Sequence, residues 1–345
     1  MKIEVYSPTI RRKEMDAVLT ALVEDKIGPG EHARSLIQLA KEYLGFDYCL
    51  GFRSPAAALF AALKALRLEP GQSALVSALS PGYYAQVLAD AGLRPIFADA
   101  ASGSPCPEPE HLSAAIAANR ENPPKCIIAH HTLGYTPDME GIARLGVPVI
   151  EDISQSYGTV FSAGKKAGSF GTFTLLGLEE RDVLTAGGGA LLYATNRRDA
   201  GVLRNSGTLP PEYGLPDMNA AMAIVQFRES AKHLEKRREI AQVYTQAALR
   251  TRHKRFIQRD DAEYNCYAFP LILETGAKDV KAYAKHKEID IESAFDHSII
   301  GNAGADPAVC PESYSLSLRT VLFPLYPRLR GAEIEQVAKL IGTLP

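Results

Sequence analysis

A chain of 345 residues with 46% hydrophobic and 23% charged residues has the length of one large domain plus a smaller one. Its balance is that of an ordinary folded protein, which excludes a predominantly disordered chain. A net charge of −2, with no basic stripe beyond the run from Lys232 to Arg238, gives no nucleic-acid surface, and that run reads as the solvated face of a helix.

Five cysteines, at 49, 106, 126, 266 and 310, form no Cys-x-x-Cys pair, so reduced thiols are expected rather than a disulfide framework or a metal site. The first residues, Met1-Lys2-Ile3-Glu4-Val5, carry no apolar leader, and no stretch approaches the roughly 18 consecutive apolar residues of a membrane span. The expectation is a soluble, cytoplasmic protein.

In chain order, Met15, Val18, Leu19 and Leu22 repeat at helical spacing and give one apolar face. A second helix follows Gly28-Pro29-Gly30, with Ala33, Leu36, Ile37, Ala40 and Leu44 inward. Short apolar runs then alternate with helical ones. Strands are predicted at 48–52, 74–79, 95–98, 126–129 and 147–150, and helices at 54–66, 83–91, after Pro109 and after Asp138. Such alternation indicates a parallel sheet covered on both faces.

Ligands of such sheets sit at the carboxyl ends of the strands, so Arg53-Ser54, Leu79-Ser80, His130-His131 and Asp152 should converge on one edge. Shorter strands and turns follow, then a long helix from Asn219 towards Arg250. Beyond it a strand at 267–273, a helix around Ala282, the run Ile289-Asp290-Ile291 and a last helix through Ile334 and Ile341 suggest an α+β unit. The expected division is 1–240 for a large α/β domain and 241–345 for a small one.

Several stretches resemble, in order, the DegT/StrS-type nucleotide-sugar aminotransferases. They are Ser7-Pro8-Thr9-Ile10, Ile27 to Gly30, Asp138-Met139, Glu151-Asp152-Ile153-Ser154-Gln155-Ser156-Tyr157-Gly158, Gly168 to Gly171, Thr185 to Ala190, and Phe323-Pro324-Leu325-Tyr326-Pro327. The resemblance spans nearly the whole chain. It implies the fold type I architecture of pyridoxal-phosphate enzymes: a mostly parallel seven-stranded sheet between helices, plus the smaller C-terminal domain.

In that family an aspartate faces the cofactor's pyridine nitrogen and a glutamine approaches the ring hydroxyl; Asp152 and Gln155 stand there. The rest departs from the pattern. The Schiff-base lysine, nine residues before the alanine that closes the glycine run, falls on Arg181, and no lysine occurs between Lys166 and Lys232. A guanidinium stays protonated and is no Schiff-base nucleophile.

The phosphate loop reads Ser54-Pro55-Ala56, losing one N–H donor and one hydroxyl, and the family's phosphate serine falls on Leu176. An asparagine that reaches in from the neighbouring subunit falls on Glu212. The stacking aromatic falls on Pro81, with Tyr83 and Tyr84 as the nearby replacements. Lys165 and Lys166 lie in a turn as solvated charges.

These departures favour a divergent homologue, not competent for Schiff-base transamination, that binds a small anion or nucleotide-sugar or serves as a partner subunit, with no pyridoxal phosphate. Two alternatives stay open. One is an active pyridoxal-phosphate-dependent aminotransferase of nucleotide-sugar or cell-surface polysaccharide biosynthesis. The other is an enzyme using the same cleft without that cofactor, where Glu179, Glu180, Asp182, His130 and His131 could supply acid–base groups.

The resemblance implies a homodimer; a heterodimer with an active paralogue remains open. Candidate ligand-binding residues are Asp152, Gln155, Arg181, Ser54, Arg53, Tyr83, Tyr84, His131 and the neighbouring subunit's Glu212. Arg181 is expected to bridge Asp152, which would otherwise be a costly buried carboxylate, or to bind an anion. No Gly-x-Ser-x-Gly elbow, Gly-x-Gly-x-x-Gly turn or Walker loop is present, which disfavours a hydrolase, a Rossmann dehydrogenase and a P-loop enzyme.

Overall fold

The computed structural model describes residues 2–205, 210–274 and 276–345. In chain order the elements are α1 (Arg12–Val23), α2 (Glu31–Leu44), β1 (Tyr48–Phe52), α3 (Pro55–Ala65), β2 (Ser73–Ser77), α4 (Tyr83–Asp90), β3 (Arg94–Ala98), α5 (Pro109–Ala118), β4 (Pro124–His130), α6 (Met139–Ala143) and β5 (Val149–Asp152). There follow β6 (Val160–Phe161), β7 (Phe173–Gly177), β8 (Ala190–Ala194), α7 (Arg197–Asn205), α8 (Asp217–Ala248), β9 (Ala262–Glu263), β10 (Phe269–Ile272), α9 (Ala277–His286), β11 (Glu292–Ser293), α10 (Pro311–Arg319), β12 (Thr320–Phe323) and α11 (Gly331–Ile341).

The seven-stranded sheet has the order β1-β8-β7-β5-β4-β2-β3. Because β8 pairs antiparallel with both β1 and β7 while the other pairings are parallel, β8 alone runs against the rest. The strands β2, β5, β7 and β8 are buried along their whole length, which is why they read as continuous apolar runs rather than alternating ones. Helix α3 begins where the Ser54 hydroxyl accepts from the Ala57 N–H, and Pro55 takes the first turn, where no N–H is needed.

A three-stranded antiparallel sheet, β10-β12-β11, carries its own apolar cluster with α9, α11 and the C-terminal part of α8. Ile3 joins this second cluster and bridges to Ile289, so the start of the chain returns to its far end. Helix α10 and strand β12 were not resolved by periodicity; they are short and follow each other without a turn.

Two expectations change. The apolar face of α1 does not turn inward: Met15, Leu19, Leu22 and Val23 are exposed, while Glu14 and Ala21 are buried. Glu14 accepts from the Arg11 N–H and from the Gln226 side chain of α8, so a polar pair holds the inner face. The basic run in α8 is also not wholly solvated. Arg237 is buried and donates to the Tyr267 and Leu325 carbonyls, the spare acceptors of two irregular segments. The five cysteines are free thiols. No helix among the described residues is long and apolar enough to cross a membrane.

Candidate functional site

Of the residues expected to converge at the strand ends, His130 lies beside Asp152, the last residue of β5, with Tyr84 against both, while Ser80 bonds to Ser77 and Ile299. The Asp152 Oδ2 accepts from the Tyr84 hydroxyl at 2.5 Å, and its Oδ1 accepts from the Ser154 N–H at 2.8 Å and the Ser154 hydroxyl at 2.5 Å. The Ser154 oxygen in turn accepts from the Gly177 N–H at 2.7 Å, which ties the end of β5 to the end of β7. Burial and the neighbouring Asp152 charge push the Tyr84 hydroxyl well above its usual range, so it stays a donor. Asp152, Ser154 and Tyr84 are all buried.

The expected bridge from Arg181 to Asp152 is not made. Arg181 turns outward, donates to Glu292 at 2.6 Å and packs over the Tyr6 ring, with more than half of its side chain exposed. The reason is that the buried carboxylate already has three donors nearby, while Glu292 on β11 offers an unpaired acceptor at the surface. A side-chain hydrogen bond to Glu292 raises the Arg181 pKa further. Beside it, Asp182 accepts from the Glu179 N–H at 2.8 Å, and burial pushes its carboxyl up to about 8, with the Asp152 charge adding to the shift. Gly177 lacks the Cβ that would meet Asp182 Oδ2 at 2.3 Å and Ser154 Oγ at 2.8 Å; only glycine lets these groups share the corner.

Glu151, the preceding residue, points to the other side of the strand and binds inward. It accepts from the N–H groups of Gly168, Phe170 and Gly171 at 2.7 to 2.9 Å and lies 3.4 Å from His131 Nε2. Burial pushes the Glu151 carboxyl up to about 7 against these three donors. His131 also meets the Ser156 hydroxyl at 2.6 Å, and burial lowers it to about 3, so the ring is neutral. His130 lies edge-on to Tyr84, and burial lowers its pKa as well.

Gln155 accepts from the Leu133 N–H at 2.7 Å and helps hold that residue at a positive φ of 55°. Tyr83, half-buried, packs edge-to-face on Tyr84. Ser54 is spent on its helix cap. Arg53 and Glu212 are exposed and joined within the chain, the Arg53 Nε donating to the Glu212 carbonyl at 2.8 Å. Lys165 pairs with Glu140, and Lys166 lies over the Tyr43 ring and donates to the Tyr43 carbonyl, so neither amine belongs to the Asp152 corner.

Sequence reasoning missed Ser154 and Glu292. The spacing Asp-x-Ser, which allows a carboxylate to bond two residues on, was a usable signal for the first. No local signal points to Glu292, which lies 111 residues from Arg181.

A doubly wound sheet with one reversed strand, polar groups gathered at its carboxyl edge and a small antiparallel unit after a long helix define an aminotransferase-type α/β chain. The chain belongs to the DegT/DnrJ/EryC1/StrS aminotransferase family, whose pattern matches residues 8–342.

It is 27% identical over 272 residues to the putative pyridoxal phosphate-dependent aminotransferase EpsN of Bacillus subtilis, covering 71% of this chain and 68% of that one. It is 26% identical over 333 residues to the UDP-N-acetyl-3-dehydro-alpha-D-glucosamine 3-aminotransferase of Acidithiobacillus ferrooxidans, covering 90% and 88%. The solved pyridoxal-phosphate form of a putative sugar aminotransferase from Streptococcus pneumoniae superposes with a TM-score of 0.89 at 17% identity, over 99% of this chain and 98% of that one.

Tested against a pyridoxal-phosphate cofactor, the residues at this corner fit poorly. The side chain at 181 is a guanidinium, and both Asp152 oxygens are engaged by the chain's own hydroxyls.

Proposed function

We propose that this protein is a family member that has left Schiff-base transamination and uses the strand-end cleft to bind a nucleotide-sugar or a related small anion. The observation that carries this reading is the Tyr84–Asp152 hydrogen bond. In the aminotransferases that this chain resembles, the corresponding aspartate addresses the cofactor ring; here a tyrosine of the same chain takes its oxygen. Arg181 at the lysine position, Leu176 at the phosphate serine and Pro55-Ala56 in the phosphate turn support it, since each removes a group that pyridoxal phosphate needs. The nucleotide-sugar rests on the substrate in the name of the Acidithiobacillus relative. The outward apolar face of α1 supports association with a second copy of the chain.

The second reading, an active pyridoxal-phosphate aminotransferase, is favoured by the names of the relatives. Incubating the purified protein with pyridoxal phosphate and then borohydride decides between them. The proposal expects no visible band that survives removal of free pyridoxal phosphate, and no one lysine labelled in preference to the exposed surface lysines. A stable band that borohydride fixes to one lysine overturns it.

A further inference from the structure

A second cavity, of about 720 Å³, lies between the C-terminal half of α8 and the segment 255–270. Its volume is that of a small-molecule site, within the roughly 300–1,000 Å³ usual for such pockets. Its chemistry is lopsided: two arginines, Arg238 and Arg255, line it, and no aspartate or glutamate does. Arg238 is partly spent, donating to the Tyr264 carbonyl at 3.1 Å and to Glu263 at 2.8 Å outside the wall. Arg255 has no carboxylate partner among the described residues. Its guanidinium lies 5.6 Å from the Phe269 ring centroid and shares a side-chain hydrogen bond with Tyr135, and a guanidinium has five N–H donors, so others remain for a ligand.

Three amides complete the lining. Gln242 and Gln246, one turn apart on α8, and Gln258 opposite make no side-chain hydrogen bond among the described residues. Asn265, by contrast, is fully used, donating to the Gln155 and Tyr157 carbonyls and accepting from the Tyr267 N–H. Tyr135, Tyr264 and Phe269, all buried, contribute apolar atoms to its wall. A guanidinium without a carboxylate partner, unspent amides and apolar wall atoms suit an anion carried on a hydrogen-bonding ring.

We infer that this cavity is a binding site for a nucleoside phosphate, with Arg255 on the phosphate and the glutamines on the base or ribose. The site does not rest on the reading of the strand-end cleft. Cys266 provides a local reporter: it lines the cavity and is half-buried, whereas the other four cysteines are buried.

The experiment titrates the full chain with adenosine and uridine 5′-monophosphates at low salt. It follows heat of binding and, by peptide mass spectrometry, the rate of N-ethylmaleimide addition to Cys266. The expected result is saturable binding of at least one nucleotide that slows Cys266 alkylation at least tenfold. Adenosine, uridine and inorganic phosphate should each bind at least tenfold more weakly. Arg255→Gln should weaken binding tenfold or more, as should Gln242→Glu, an exposed helix position where a carboxylate takes away the amide donor to the base or ribose and adds a negative charge to the site without disturbing packing. Arg12→Ala, which removes an equal charge elsewhere, should leave binding unchanged.

The inference is overturned if neither nucleotide binds below several millimolar or if Cys266 is not protected. It also fails if Arg12→Ala weakens binding as much as Gln242→Glu, or if inorganic phosphate binds as tightly as the nucleotides.

Discussion

The strand-end corner and the α8 cavity treat their polar groups in opposite ways. At the corner the two carboxylates and Gln155 are paired internally: Tyr84 and Ser154 on Asp152, three backbone N–H groups on Glu151, Gln155 on Leu133. At the cavity Arg255 has no carboxylate partner among the described residues, and three glutamine amides make no hydrogen bond there. A buried polar group without a partner costs more than a made hydrogen bond contributes, so the corner's internal pairing is a stability device that also keeps the Asp152 carboxylate from a cofactor ring. The cavity groups are reached by water and carry no such cost.

The contrast can be broken most directly at Asp152. Asp152→Ala leaves the Tyr84 hydroxyl, the Ser154 hydroxyl and the Ser154 N–H without their acceptor, and a loss of about 3–5 kcal/mol is expected in urea unfolding. A loss under about 1 kcal/mol would mean that the corner opens freely to water.

Next in size is a pH dependence centred on Glu151, whose carboxyl ionises near 4.5 when unfolded and at about 7 when folded. Below the lower value both states hold the proton and nothing changes. As pH rises through the interval the unfolded chain releases its proton first, so folding stability falls, by about 3 kcal/mol in full above pH 7. Glu151→Gln cannot ionise. The variant should therefore gain on the wild type by that amount between about pH 4 and pH 8, and a constant difference across the range would refute the assignment.

Smallest is Arg181→Ala. The Glu292 ion pair is solvent-exposed, so unfolding should change by less than about 1 kcal/mol, and less still at high salt. A larger loss would show that Arg181 reaches the buried corner in solution.

The sheet was legible because its strands lie between helical patterns of constant rhythm, and the strand-end rule then grouped Arg53, Ser80, His130 and Asp152 from far-apart stretches. The reversal of β8 follows from the Gly187-Gly188-Gly189 turn, whose three positive φ values let the chain turn back sharply. Periodicity finds a helix's apolar face but cannot say what covers it, and so α1 gave no hint that Met15 and Leu19 point away from the core. Partner choice was the least legible. The sequence offered Arg181 one carboxylate, Asp152, and the one it pairs with lies on a strand of the other sheet.

That outward strip on α1 has a consequence for anyone measuring this protein. Met15, Leu19, Leu22, Val23 and Ile27 face water in the single chain, and whatever covers them lends its association free energy to the folded state alone. With the second copy of the chain proposed above as that cover, thermal midpoints climb with protein concentration, and two laboratories working at different dilutions would report two different stabilities for the same molecule.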